Sequence, residues 1–172
     1  QLIKMLIETR AKGGNLLINA GPEPSGVIPF EQERIFRELA LWMFVNDEAI
    51  TGIRPCPIAG EGGREIYYTQ SKDGNSVYVF LNQFTGRNLW KRGERKTITL
   101  KALKATPETT ISVLGQNDKV LEYKPGADVK SRFRQTPEGL EISVVRAQRL
   151  YNNSQWPNPV VVKLENVTFN QR

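Results

Sequence analysis

The apolar positions along this chain follow two different periods. Leu2, Ile3, Leu6 and Ile7 recur at i, i+1, i+4 and i+5, the spacing of one helix face. Gly13-Gly14 closes that helix, since glycine enters the left-handed conformation of a C-terminal cap without a steric penalty. Asn15-Leu16-Leu17-Ile18-Asn19 is a short continuous apolar run rather than an alternation. Such a run predicts a strand buried on both faces, as in parallel sheets covered by helices. Residues 20–26, Ala-Gly-Pro-Glu-Pro-Ser-Gly, form a loop of chain breakers. Pro29 suits the first turn of a second helix. Ile35, Leu39, Trp42 and Val45 then recur at helical spacing, and the helix is expected over Phe30–Val45, ending near Asn46-Asp47. The spacing makes Trp42 a core residue on that stripe.

From Glu65 onward the period becomes that of strands. Val77, Val79 and Leu81 alternate with Tyr78 and Phe80, and strands are predicted at Ile66–Gln70, Ser76–Asn82, Lys96–Leu100, Thr110–Leu114, Val120–Tyr123, Val129–Arg134, Leu140–Val145 and Val160–Leu164. Lys72-Asp73-Gly74-Asn75, Gly115 to Asp118, Pro125-Gly126 and Pro137-Glu138-Gly139 supply the turns. Short strands at such spacing predict an antiparallel β-sandwich. Gly52 to Gly63, with Pro55, Pro57, Gly60 and Gly62, reads as a linker between the two parts. Two units are therefore expected, residues 1–55 and residues 56–172. The second carries both faces of a core and should fold alone. The first holds one parallel strand, which needs neighbours that the chain does not supply. The opening helix also lacks a capping residue, so the chain reads as part of something longer.

Composition narrows the chemistry. The 172 residues contain no histidine and one cysteine, Cys56. This removes an internal disulfide, a zinc site of the usual ligand types and every histidine-based nucleophile arrangement. Any catalysis has to rest on carboxylates, Lys, Tyr or Arg, with no cofactor. No apolar run approaches the roughly 20 residues that span a membrane. The net charge is +6, with 6 Lys/Arg against 7 Asp/Glu in residues 1–55 and 18 against 11 in residues 56–172. Arg87, Lys91, Arg92, Arg95 and Lys96 cluster around Trp90. They read as a solvated hairpin face; a nucleic-acid partner would need interleaved aromatics, and only Trp90 is present.

The residues from Gly14-Asn15-Leu16-Leu17-Ile18-Asn19-Ala20-Gly21-Pro22, through Gly26-Val27-Ile28-Pro29 and Trp42, to Asn46-Asp47-Glu48-Ala49-Ile50 and Arg54-Pro55 resemble the end of the catalytic domain of α-L-fucosidases, glycoside hydrolase family 29. The Tyr68–Leu81 hairpin and Ile111 to Gly115 resemble that family's C-terminal sandwich. Ser25 stands where the family usually has Asp, Asp47 where it has Gly, Thr51 where it has Tyr, and Cys56 where an aromatic is common.

The resemblance implies a fold class: the last helix–strand–helix of a (β/α)8-type barrel, followed by the sandwich. It also implies a retaining hydrolase acting on a fucosylated glycan, periplasmic or secreted, whose two catalytic carboxyls precede this chain. Asn19 to Gly26 would then lie near the barrel mouth, since such sites sit at the C-terminal ends of strands. The candidate substrate-binding residues are Asn19 and Glu23, which could bond sugar hydroxyls, and Trp90 and Trp156, whose indoles could stack on a sugar ring. Asn152-Asn153-Ser154 and Asn166-Val167-Thr168 match the N-glycosylation pattern. The alternative reading is a non-catalytic carbohydrate-binding or scaffold sandwich from an inactive relative.

Overall fold

The computed structural model describes residues 1–63, 65–82, 90–91, 93–119, 125–147 and 158–170. Helix α1 spans Leu2–Ala11 and α2 spans Phe30–Asn46, followed by a 3-10 turn at Asp47–Ala49. The strands are β1 (Ile53–Glu61), β2 (Ile66–Ser71), β3 (Ser76–Leu81), β4 (Arg95–Leu100), β5 (Leu103–Val113), β6 (Arg132–Thr136), β7 (Gly139–Val145) and β8 (Val160–Phe169). They form a five-stranded sheet in the order β1-β2-β3-β8-β5 and a three-stranded sheet in the order β4-β7-β6. The pairings are antiparallel.

Strand alternation builds two cores on the larger sheet. Val77, Val79 and Leu81 of β3 point inward with Val160, Val162 and Leu164 of β8. They meet Ile98 and Leu100 of β4 and Leu140, Ile142 and Val144 of β7 across the sandwich. Tyr78 and Phe80 take the opposite face with Tyr67 and Val161, and there they bury Ile3, Ile7 and Ala11 of α1 together with Trp42, Ala49 and Ile50. The three α1 residues are four apart, so a single stripe seats that helix on the sheet. β3 is buried along its whole length as a result.

The Gly13-Gly14 cap forms as expected. The Gly14 N–H donates to Thr9 O at 2.8 Å and the Gly13 N–H to Arg10 O at 3.0 Å, with Gly13 at φ +84°. The Asp73-Gly74 turn joins β2 to β3, and Pro137-Glu138 joins β6 to β7.

The structure corrects several expectations. The stretch read as a linker is mostly strand β1, at the edge of the larger sheet. An edge strand tolerates Pro55 and Pro57 because a missing N–H there leaves no gap in the ladder. The register of β1 on β2 shifts between Pro55 and Gly60. A side chain at Gly60 would collide with Ile66 O, so only glycine fits that crossing. The boundary between residues 55 and 56 thus falls inside a strand.

Asn15–Asn19 is not a buried strand. It has no ladder partner among the described residues, and Leu17 is 86% exposed. An apolar run encodes burial only where a neighbouring layer exists. The α2 stripe is likewise only half realised. Trp42 is fully buried as expected, but against the sandwich, its ring 6.4 Å from Phe80 and its Nε1–H donated to Pro159 O at 2.9 Å. Ile35, two turns earlier, is half exposed because the first half of α2 has left the sheet.

Other strand limits move modestly. Thr110–Leu114 is the second half of the longer β5, Val129–Arg134 shifts to β6, and Val160–Leu164 extends to Phe169. Val120–Tyr123 lies outside the described residues, apart from which the sandwich forms as expected.

Candidate functional site

Residues 14–29 connect the two helices without regular secondary structure. Side chains from the helices hold this connection. Arg10, in the last turn of α1, donates Nε–H to Ile50 O at 3.0 Å and Nη1–H to Gly14 O at 2.9 Å and Asn15 Oδ1 at 2.7 Å. Gln32, in the first turn of α2, binds the Gly21 residue from both sides. Its Oε1 accepts the Gly21 N–H at 2.8 Å, and its Nε2 donates to Gly21 O at 3.3 Å. Beyond it, Glu23-Pro24-Ser25-Gly26 turns back on itself: the Gly26 N–H donates to Glu23 O at 2.8 Å and the Glu23 N–H to Val27 O at 2.9 Å.

This connection and the two helices enclose a largely apolar cleft of about 510 Å³. Leu2, Met5, Ile18, Ile35, Phe36 and Leu39 supply most of its wall, and Asn19 and Gln32 supply polar groups. Asn19 and Glu23 are both exposed, and Asn19 lines the cleft while Glu23 does not. Among the described residues the one carboxylate in the wall is Glu38, which accepts a hydrogen bond from Asn158 Nδ2. Arg34 is paired with Glu31 at 2.9 Å. The cleft can seat apolar groups and offer amide hydrogen bonds. A hydrolysis that needs two facing carboxyls requires groups beyond these.

Trp90 is a correction. The expected exposed indole is 1% exposed, packed in the sandwich core with Nε1–H donated to Glu94 O at 2.7 Å, so it offers no face to a sugar. A tryptophan beside turn residues and basic side chains gives no local sign of which way the ring points. Trp156 and the Asn152 triplet lie outside the described residues, as do Arg87 and Arg92. Asn166 is exposed, at φ +55° opposite the register shift of β5, and its carbonyl accepts the hydroxyls of Thr106 and Thr109.

Two of the remaining basic side chains around Trp90, Arg95 and Lys96, are pinned in place, and Lys91 is exposed. Arg95 donates to Asp128 O, Lys130 O and Ser143 O, and Lys96 pairs with Glu94 at 2.7 Å. The hydrogen bond from Lys96 holds the Glu94 carboxyl below its usual range.

Titratable groups on the larger sheet are displaced by burial. The Cys56 thiol is pushed up to about 12 by desolvation, so it stays protonated and unreactive at neutral pH. Burial, with the Glu61 carboxylate next to it, raises Tyr68, whose hydroxyl donates to Glu61 at 2.8 Å. Glu61 also accepts the Lys101 and Ala102 N–H groups, both at 3.0 Å, and ties β1 to the turn between the sheets. Two of the departures from the family pattern touch each other, since Thr51 Oγ1 donates to Asp47 Oδ2 at 2.9 Å.

Arg10 and Gln32 escaped the sequence reading. For Gln32 a signal existed: it occupies the third helical position, where Glu or Gln commonly reaches back to the preceding backbone. For Arg10 none did, because a basic residue in a last helical turn is common on dipole grounds alone.

Residues 1–48 match the family model described as alpha-L-fucosidase. Tissue alpha-L-fucosidase of Rattus norvegicus is 32% identical over 116 residues, which are 67% of this chain and 23% of that protein. Plasma alpha-L-fucosidase of the same animal is 48% identical over 83 residues, 47% of this chain and 18% of that protein. The crystal structure of alpha-L-fucosidase from Vibrio sp. strain EJY3 shares the fold, with a TM-score of 0.66 and 23% identity over 98% of this chain and 26% of that one. The chain therefore spans about a quarter of the length of the proteins it matches. The family match contains the Gly14–Pro22, Gly26–Pro29 and Trp42 elements that carried the resemblance, and with the curated relatives it places this chain in the alpha-L-fucosidase family.

Proposed function

We propose that this chain is the C-terminal portion of a retaining α-L-fucosidase, a glycoside hydrolase that removes terminal α-L-fucose from glycoconjugates in the periplasm or outside the cell. Its first 55 residues close the catalytic barrel: Asn15–Asn19, unpaired within this chain, takes its place as the last parallel strand only against a strand of the preceding part, and α2 is the last barrel helix. The sandwich supports that closure. The observation that carries this reading is the distribution of uncovered apolar side chains. Met5, Leu17, Val27, Ile28, Phe30, Ile35, Leu41 and Phe44 are the large hydrophobic residues left exposed among those described, and all fall between residues 5 and 44. That is a surface awaiting another layer, in the span that matches the family.

In the proposed mechanism, a carboxylate nucleophile and a carboxyl acid/base roughly 5–5.5 Å apart cleave the glycosidic bond through a covalent fucosyl intermediate. Both groups come from the preceding part of the protein. This chain contributes the loop from Asn19 to Gly26 at the mouth, where Asn19 and Glu23 can meet sugar hydroxyls. Residues 1–172 alone should therefore not hydrolyse an aryl α-L-fucoside, whereas the longer protein should, releasing α-fucose first, as seen by proton NMR. Turnover by residues 1–172 above a matched blank would overturn the assignment of the carboxyls to the preceding part. Release of β-fucose would overturn retention.

A further inference from the structure

We infer that Gln32 is a positioning residue for the fucosidase reaction: it holds the loop from Asn19 to Gly26 in the conformation that presents Asn19 and Glu23 to the sugar. The inference rests on the proposed function, and it names the group on which that loop depends. Gln32 is the side chain that bonds both the N–H and the C=O of Gly21, from a rigid helix whose other end is anchored by buried Trp42. Gly21 lies between Asn19 and Glu23, so fixing its two backbone polar groups limits both flanking side chains. The Glu23–Val27 bonds shape the turn internally but do not tie it to a helix. Arg10 fixes the connection at Gly14-Asn15, several residues before the mouth. Without Gln32 the stretch from Ala20 to Gly26 has no other side-chain tether to either helix among the described residues.

The chemistry also specifies how substitutions should rank. Gln32→Met keeps the length of the side chain and loses both bonds. Gln32→Glu keeps the acceptor for the Gly21 N–H, the shorter of the two, and loses the donor. A loop that meets the bound sugar rather than the reacting carboxyls affects binding in ground and transition states alike, so its loosening raises KM more than it lowers kcat. In the full-length enzyme, Gln32→Met is expected to raise KM for an aryl α-L-fucoside by about tenfold with kcat within a factor of about two, a modest part of the 10²-fold that a small misplacement can cost. Gln32→Glu should recover most of that loss. Glu31→Ala, one position away on the exposed face of the same helix, is the control and should leave KM unchanged.

Amide exchange supplies a readout independent of turnover. In residues 1–172 the Gly21 N–H should exchange faster in Gln32→Met than in the parent and return toward the parent rate in Gln32→Glu. An unchanged KM in Gln32→Met, or Gln32→Glu no better than Gln32→Met, overturns the positioning role. Unchanged Gly21 exchange overturns the tether itself, even if the enzyme were to act on another glycoside. A parent enzyme that exchanges as expected but does not cleave α-L-fucosides sinks the functional reading, and with it the role of Gln32 in that reaction, while leaving the tether standing.

Discussion

Trp42 is the fully buried apolar side chain by which α2 docks on the sandwich. It stacks at a tilt on Phe80 and donates its indole N–H to Pro159 O. Truncation removes a large buried volume and leaves the Pro159 carbonyl without that donor. Trp42→Ala should therefore cost about 3–5 kcal/mol, read from denaturant midpoints at constant slope. A midpoint that barely moves would mean that α2 does not dock on this sheet. Trp90 has the same residue type and the same burial but closes the core inside the sandwich. Identity alone did not show that both indoles pack; the environment of each ring did.

At the scale of elements, the join between α1 and β1 depends on Gly13. Its φ of +84° is the left-handed cap conformation, and a Cβ built there would lie 2.9 Å from Pro55 Cγ. Gly13→Ala meets both a conformational and a steric penalty, with an expected loss of about 1–2 kcal/mol in the thermal or chemical unfolding of residues 1–172. Gly26→Ala pays the conformational penalty alone, because nothing lies within 4 Å of its Cβ position. It should be the milder change, and a Gly13→Ala protein no less stable than Gly26→Ala would show that the contact with Pro55 is relaxed in solution. The cap was legible from Gly13-Gly14 in the sequence. The second penalty was not, because Pro55 lies 42 positions away and read as part of a linker.

The whole molecule is three layers in its better-packed part: the small sheet, the large sheet, and α1 with the end of α2. The inner core is made within residues 56–172. The outer core is shared, since Tyr67, Tyr78, Phe80 and Val161 are buried by Ile3, Ile7, Ala11 and Trp42. Residues 56–172 alone should keep a β-type circular dichroism spectrum, yet melt at a lower temperature than residues 1–172 and self-associate through the uncovered aromatic face. Sedimentation and a melt of both chains check this. A monomeric sandwich with the midpoint of the full chain would mean that the helices add nothing to it. Residues 1–55 alone should show no cooperative transition, because their apolar stripe has only the sheet to cover it.

The amino-acid sequence determined whatever depends on neighbours a few residues away. The helical repeat of Ile3 and Ile7, the alternation of Val77 to Leu81, the Gly13-Gly14 cap and the Asp73-Gly74 turn are all local encodings, and each formed. The order of short motifs from Gly14 to Asn46 likewise identified the family, because order and spacing are properties of the chain itself. Tertiary structure alone decided which apolar surface received a partner. β1 is a strand because β2 offers an edge to a proline-bearing segment, and Asn15–Asn19 is left unpaired, with Leu17 exposed, because no strand among the described residues flanks it. Trp90 turned inward for the same reason that Ile35 remained outside. Burial is settled by what lies across space, and the period of a sequence specifies a face without specifying what will cover it.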